Sequence, residues 1–147
     1  MRVSILAITP RDKNEAAAAL AVHYEQRLQQ YAECSAQRVP SEARLFEKMS
    51  HSGRTRPILV LLDPRGRTLS SEQLAAWIGR QRDTGIQQLH FAIGPADGWS
   101  KEARERADLL LSFGPMTFPH ELARVMLAEQ LYRAFTILAG HPYHGGH

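Results

Sequence analysis

Pro57-Ile58-Leu59-Val60-Leu61-Leu62-Asp63 is the clearest β-strand pattern in this sequence. The run is apolar without the alternation of a half-exposed strand, so both of its faces should be covered. The segment that follows, Asp63-Pro64-Arg65-Gly66-Arg67, has the composition of a turn. A strand of this kind predicts a sheet with helices packed on both sides.

Strands and helices alternate on both sides of this run. The predicted strands span residues 3–8, 34–39, 57–63, 88–93 and 109–112, and the predicted helices span 14–31, 41–49, 71–83, 101–107 and 121–139. Parallel strands need such crossover helices between them. The pattern therefore predicts one α/β domain over residues 1–147, with three α/β/α layers and a mostly parallel sheet.

The composition is that of a globular domain, with 44% hydrophobic and 22% charged residues. No apolar run approaches the roughly 18 residues of a membrane span, and the first strand is too short for the core of a signal peptide. The single Cys34 excludes an intrachain disulfide and a thiolate metal cluster. We expect a cytoplasmic protein without a membrane partner.

The net charge is +3 and is carried mainly by arginine. Arginine binds phosphate bidentately and stacks on bases, which favours a nucleic-acid partner. Because the excess charge is small, ordinary solubility explains it equally well.

Three loops containing Gly and Pro follow the strands that end near Leu62, Ile93 and Ser112. In open parallel sheets, ligands collect at the carboxyl ends of the strands, and glycine lets backbone amides approach a ligand. One such loop is an ordinary turn, but three at consecutive strand ends favour a binding site, where Leu62, Met116 and Phe118 could enclose a flat ring. The sequence lacks the common phosphate-loop, dinucleotide and hydrolase-elbow motifs.

The last predicted helix has a broad apolar face, formed by Leu122, Val125, Met126, Leu131, Tyr132, Phe135 and Leu138. Such a face predicts core packing and also a self-association interface. Arg124 and Arg133 on this helix should be ion-paired or directed at an anion. His120, at its start, is expected to cap the helix or pack in the core.

The tail after this helix carries His141, His144 and His147 at a spacing of three residues. This spacing suits a metal only in a helix, and Pro142 and the glycines disfavour one, so we expect no metal site. The tail is either disordered or presents Tyr143 and His144 to a ligand.

Four strings together carry a resemblance to a known family: F-x-I-G-x-x-x-G at 91–98, L-S-F-G-P-M-T-F-P-H-E-L-A-R-V at 111–125, E-Q-L-Y-R-A-F at 129–135 and H-P-Y-H at 141–144. They resemble the RlmH-type methyltransferases, which modify N3 of a pseudouridine in large-subunit (23S) ribosomal RNA and belong to the SPOUT superfamily. The resemblance covers nearly the whole chain.

The resemblance implies a trefoil knot in the C-terminal half, with the three loops forming a pocket for S-adenosylmethionine. It also implies a homodimer, in which the tail of one subunit completes the site of the other. The cofactor positions implied by the family fall on Leu62, Gly94, Phe113, Gly114, Pro115, Met116, Thr117 and Phe118.

Methyl transfer to N3 needs alignment, desolvation and a destination for the N3 proton, and it needs no metal. We expect His144 to act as the base or to orient it, and Tyr143 to stack on or hydrogen-bond the nucleobase. Arg133 would neutralise a phosphate or the cofactor carboxylate. The substrate is expected to be ribosomal RNA within the assembled ribosome.

Two positions depart from the family. Pro95 stands where the family usually has a second glycine, and it removes one amide donor. Gly145-Gly146-His147 stands where family tails usually have Arg or Lys. These departures keep two alternatives open: a non-catalytic RNA- or nucleotide-binding module on a degenerate methyltransferase scaffold, and methylation of a different RNA position.

Overall fold

The computed structural model describes residues 1–8, 13–50 and 55–146. Five parallel strands form one sheet in the order β2-β1-β4-β3-β5. The strands are β1 (Arg2–Ala7), β2 (Glu33–Arg38), β3 (Ile58–Thr68), β4 (Gln88–Ile93) and β5 (Leu109–Ser112). The helices are α1 (Glu15–Leu28), α2 (Glu42–Ser50), α3 (Ser71–Asp83), α4 (Lys101–Arg106) and α5 (His120–Leu138), followed by a 3₁₀ turn at His144–Gly146.

The predicted α/β architecture with a parallel sheet is confirmed, and the sheet is covered on both faces. One apolar cluster joins the sheet to α1, α3 and α5, with Phe91 and Leu131 at its centre. The other cluster joins the opposite face to α2 and α4 through Leu45, Ala92 and Ala103. Successive side chains of a strand point to opposite sides of the sheet, so the strands contribute apolar side chains to both clusters. Within the described ranges, no helix is long and apolar enough to cross a membrane.

The predicted turn at residues 63–67 is wrong. Leu62 and Arg67 both pair with Leu111 of β5, so the four residues between them bulge out of the ladder while the chain stays extended. Gly66 lies in this bulge and packs against the β5 backbone, where a Cβ would lie 2.5 Å from the carbonyl carbon of Leu110. The pairing with β5 overrides the local turn signals of Pro64 and Gly66. The trefoil knot stays a prediction.

Two helices begin at residues whose side chains cap them. Ser70 forms a capping box at the start of α3, and Asn14 accepts a hydrogen bond from the backbone N–H of Ala17 at the start of α1. α1 ends at Leu28, three residues before the predicted end, and a turn leads from there into β2.

His90 lies on β4 with 1% of its surface exposed. Neither ring nitrogen has a hydrogen-bond partner within the described part of the chain. Burial, and to a smaller extent the positive charge of Lys48, lower the pKa of His90 to about 4. The imidazole is therefore neutral at physiological pH and packs as a core side chain.

Candidate functional site

The bulge of β3 and the loops that follow β4 and β5 meet in one cleft, so the three segments predicted to form a site lie together although the first is part of a strand. Its cavity volume is about 860 Å³, within the range of small-molecule sites. The cleft is lined by seven of the eight predicted cofactor positions: Leu62, Gly94, Phe113, Gly114, Met116, Thr117 and Phe118. Pro115 lies on the same loop, exposed and outside the lining.

The wall between the β3 and β4 ends is built around Trp99. The indole Nε1–H donates a 2.9 Å hydrogen bond to the carbonyl oxygen of Leu62, and the side chain is 4% exposed. Gly94 lies against the indole, where a Cβ would be 2.8 Å from two of its atoms. A glycine is therefore required at this strand end so that the indole can reach the neighbouring strand.

Pro95, one of the departures from the family, is the first residue of a turn along this wall. Its carbonyl oxygen accepts a 2.9 Å hydrogen bond from the N–H of Gly98, which has a φ of +85°. The positive φ favours glycine at the end of the turn. The loop closes through the carbonyl of Pro95, so the N–H that proline lacks is not needed for the turn.

Asp63 is buried at the edge of the cleft and is paired with Arg65. The carboxylate accepts hydrogen bonds from the backbone N–H of Arg65 at 2.8 Å and from its guanidinium at 3.0 and 2.9 Å. Burial opposes ionisation, but the hydrogen bonds and charge of Arg65 outweigh it and hold the pKa of Asp63 below its usual value. The pair fixes the bulge of β3 and places a guanidinium at the rim of the cleft.

Ser112 ties the third loop to the bulge. Its Oγ accepts a 2.9 Å hydrogen bond from the N–H of Gly114 and lies 3.2 Å from the carbonyl oxygens of Pro64 and Gly114. Gly114 has a φ of +108°, a conformation that other residues rarely adopt. The loop from Phe113 to Phe118 is thus held at its first residues.

The three predicted catalytic residues lie together toward the other end of α5, outside the cleft. The guanidinium of Arg133 donates to Glu129 at 2.8 and 2.9 Å, and the hydroxyl of Tyr143 donates to the same carboxylate at 3.1 Å. Arg133 also lies 4.8 Å from the centre of the Tyr143 ring. The ring packs edge-on against Tyr132 at 4.8 Å. The tail is therefore docked onto α5.

The docking changes the acidity of the tyrosine. Burial, together with the charge and hydrogen bond of Glu129, raises the pKa of Tyr143 to about 12. Tyr143 therefore keeps its proton at neutral pH and serves as a hydrogen-bond donor or a stacking surface.

His144 bridges α5 to α3. Its Nδ1 lies 3.0 Å from Nη1 of Arg133, and its Nε2 lies 2.5 Å from Oε1 of Glu72. The other tail histidine described, His141, accepts a hydrogen bond from the N–H of Tyr143. His147 lies outside the described residues.

A second cavity, of about 590 Å³, lies between the cleft and the docked tail. It shares Leu111, Phe113 and Gly114 with the cleft, and it reaches Glu129 and Gln130 on α5. The two cavities therefore share part of their lining, and Glu129 connects the second one to the docked tail.

The apolar face of α5 is buried in the core at some positions and exposed at others. Leu131, Tyr132 and Phe135 are buried, whereas Leu122 is 45% exposed. Arg124 pairs with Glu25 of α1 at 3.0 and 2.9 Å, and Arg133 pairs with Glu129, which confirms that both arginines are ion-paired. His120 is the first residue of α5 and lines the cleft, and its side chain does not cap the helix.

Comparison with known proteins identifies the family. The family described as "Predicted SPOUT methyltransferase" matches residues 1–144. The chain belongs to the SPOUT methyltransferase family. A relative named ribosomal RNA large subunit methyltransferase H, from Koribacter versatilis (strain Ellin345), is 51% identical over 93% of this chain and 94% of that protein. One of the same name from Brucella abortus (strain S19) is 60% identical over 58% of this chain and 51% of that protein.

Two solved structures share the fold. A probable methylase family protein from Haemophilus influenzae Rd KW20 has a TM-score of 0.58 at 11% identity, over 96% of this chain and 69% of that one. The SpoU methyltransferase AviRb from Streptomyces viridochromogenes, solved in complex with AdoMet, has a TM-score of 0.54 at 13% identity, over 95% of this chain and 58% of that one. At these identities the likeness shows the fold alone.

SPOUT methyltransferases use S-adenosylmethionine, and the residues of the cleft fit this cofactor. Leu62 and Phe118 supply apolar surface, and the glycines permit close approach of the backbone. The backbone N–H groups of Met116, Thr117 and Phe118 find no acceptor among the described residues, so they are available to a polar ligand.

Sequence reasoning missed three residues that shape the cleft or hold the docked tail. Glu129 precedes Arg133 by four residues, and that helical spacing was the signal for the pair. Trp99 and Glu72 carried no signal, because their partners lie 37 and 72 residues away along the chain.

Proposed function

We propose that this protein transfers the methyl group of S-adenosylmethionine to N3 of a pseudouridine in large-subunit ribosomal RNA. The observation that carries the proposal is the convergence of the β3 bulge and the loops after β4 and β5 on one cleft, in a chain 51% identical to a ribosomal RNA large subunit methyltransferase H. The site of action would be the cytoplasm, on RNA within the assembled ribosome.

The cleft residues would bind and orient the cofactor. When bound, S-adenosylmethionine supplies a sulfonium methyl group that needs no further activation. The backbone of Phe113–Phe118 and the strand ends at Leu62 and Gly94 would hold it through amides and apolar contacts and exclude water. Arg65, at the rim, is placed to attract an anionic group.

The tail would contact the nucleobase of the substrate. Tyr143 offers a hydroxyl that stays protonated and a ring whose edge packs on Tyr132, and Arg133 beside it offers positive charge toward phosphate. Because Tyr143 and His144 do not line the cleft of their own subunit, we place them at the cleft of a second subunit in a homodimer. Exposed Leu20, Met116 and Leu122 support such an interface.

Calorimetric titration with S-adenosylmethionine tests the cofactor. We expect saturable binding that weakens in a Thr117→Pro variant, which removes one free amide of the loop. Absence of binding at millimolar cofactor contradicts the proposal and favours the non-catalytic RNA-binding alternative.

Mass mapping of ribosomal RNA tests the substrate. RNA from a deletion strain should lack one methyl group on a large-subunit pseudouridine. The wild-type protein should restore it, and a Tyr143→Ala variant should restore less of it. A restored methyl group at another nucleotide contradicts the substrate and supports methylation of a different position.

A further inference from the structure

We infer that Glu72 is a positioning residue, which together with Arg133 holds the imidazole of His144 in the tautomer protonated at Nε2. Only the effect of Glu72 on catalysis rests on the proposed function. The geometry of the docked tail carries it independently.

The tautomer follows from the two groups that His144 meets. Nη1 of Arg133 lies 3.0 Å from Nδ1, and a guanidinium has donors and no acceptor, so Nδ1 must accept. A neutral imidazole then carries its proton on Nε2. Oε1 of Glu72 lies 2.5 Å from that nitrogen and accepts it.

Both partners are themselves held in place. Glu72 lies in the first turn of α3, directly after the capping box of Ser70, where the helix dipole favours a carboxylate. The hydrogen bond from His144 and, to a smaller extent, a hydrogen bond from the backbone N–H of Glu72 itself keep the pKa of Glu72 below its usual value. Arg133 is fixed by Glu129 through two hydrogen bonds. The imidazole is therefore clamped between two helices.

The clamp decides what His144 can do in the reaction. The lone pair of Nδ1 points at Arg133, and Nε2 already carries a proton, so neither nitrogen is free to take the N3 proton. While the tail is docked in this way, His144 acts as a fixed, hydrogen-bonded element of the tail and not as a base. The N3 proton then leaves to another acceptor or to water.

Nitrogen NMR of the whole protein reads the tautomer directly. In ¹⁵N-labelled protein at a pH of about 8.5, where histidines are generally neutral, the His144 ring should show a protonated Nε2 and an unprotonated Nδ1. A His144→Asn variant assigns the signals. Glu72→Ala should free the ring to turn away from Arg133 and so give a mixture of tautomers, whereas Glu72→Gln should keep the wild-type pattern, since its amide oxygen still accepts.

Glu102→Ala is the matched control. Glu102 occupies the same position of a Ser-capped helix, α4, and is exposed away from the tail. It should leave the His144 signals unchanged. A wild-type ring protonated at Nδ1, or a Glu72→Ala spectrum identical to the wild type, overturns the inference.

A methylation assay with ribosomes then measures the effect of Glu72 on kcat. Glu72→Ala should lower kcat about tenfold, because a misplaced group in the site costs alignment, while cofactor affinity stays as in the wild type. Glu72→Gln should recover most of the activity. If the wild type does not methylate ribosomes, the proposed function fails while the NMR result still decides on Glu72. A Glu72→Ala enzyme with normal kcat overturns the positioning role.

Discussion

A Cβ on Gly94 would lie 2.8 Å from the Trp99 indole, closer than non-bonded atoms approach in well-packed proteins. The indole in turn satisfies the carbonyl of Leu62, so one close contact connects the end of β4 with the start of the bulge in β3. At the scale of single residues, the shape of the cleft therefore depends on the absence of one methyl group.

Gly94→Ala should destabilise the protein by about 1–3 kcal/mol, the usual cost of overpacking a core site, and should weaken S-adenosylmethionine binding. Denaturant unfolding and calorimetry measure the two effects. In a Trp99→Leu background, the added methyl group has room, so the same substitution should cost much less. An equal cost in both backgrounds contradicts the contact.

His90 makes stability depend on pH. Its folded-state pKa, about 4, lies below the value near 6.5 for an unfolded chain, so the unfolded state binds more protons between these values. Stability should therefore fall by about 2 kcal/mol between pH 7 and pH 5 on account of this residue. Urea unfolding at both pH values should show a smaller loss in His90→Leu. A His90→Leu variant that loses as much stability as the wild type between the two pH values contradicts the prediction. His23→Gln changes an exposed histidine and serves as the control.

At the scale of elements, α1 and α5 are joined by the pair of Glu25 and Arg124. Glu25 is buried, and its carboxylate accepts two hydrogen bonds from the guanidinium at 3.0 and 2.9 Å. This pair crosses between two helices that pack on the same face of the sheet. It therefore fixes how α5 leaves the cleft.

Glu25→Gln should lower the free energy of unfolding by about 1.5–3 kcal/mol, as expected for hydrogen bonds to charged groups. Chemical denaturation measures the loss. Glu47→Gln breaks the exposed pair with Arg44, whose atoms are 3.4 Å apart, and should cost at most about 0.5 kcal/mol. Equal losses in the two variants would show that burial does not strengthen the pair.

The elements were predictable where the signal is local. β4 and β5 have the predicted bounds, because their apolar runs end in turn residues, and α3 begins at its Ser70 cap. The extended bulge at residues 63–67 was not predictable, because pairing with β5 imposes it against local turn propensity. The cleft residues after β4 and β5 could be predicted because they directly follow apolar runs. The contacts of His144 with Glu72 and Arg133 could not be predicted, because Glu72 lies 72 residues away along the chain.

At the scale of the whole molecule, the proposed division of labour between subunits can be tested by mixing. One variant lacks the tail from residue 141, and the other carries a Thr117→Pro cleft. At a cofactor concentration too low to fill the Thr117→Pro cleft, each variant alone should have little activity. Unfolding and refolding them together should restore about a quarter of the wild-type activity, because random pairing makes half of the dimers mixed and each mixed dimer has one complete site. Methylation of ribosomes measures this, and no recovery would place the tail in its own subunit's site.

Disrupting the proposed interface is a separate test. Leu122→Glu places a charge on the exposed part of α5 and should convert the dimer to a monomer in analytical ultracentrifugation. Methylation should be lost with the dimer. A wild-type protein that sediments as a monomer contradicts the homodimer.

The strip of Leu111, Phe113 and Gly114 that borders both cavities has a consequence for inhibitor design. A compound anchored in the cleft can be extended past this strip toward the neighbouring cavity, because the two cavities share these lining residues. There it gains contacts with Leu69 and Met126, which the cleft itself does not offer. The part of such a ligand that binds in the cleft would imitate S-adenosylmethionine, which many enzymes bind. Its selectivity would therefore come from the part that binds in the neighbouring cavity.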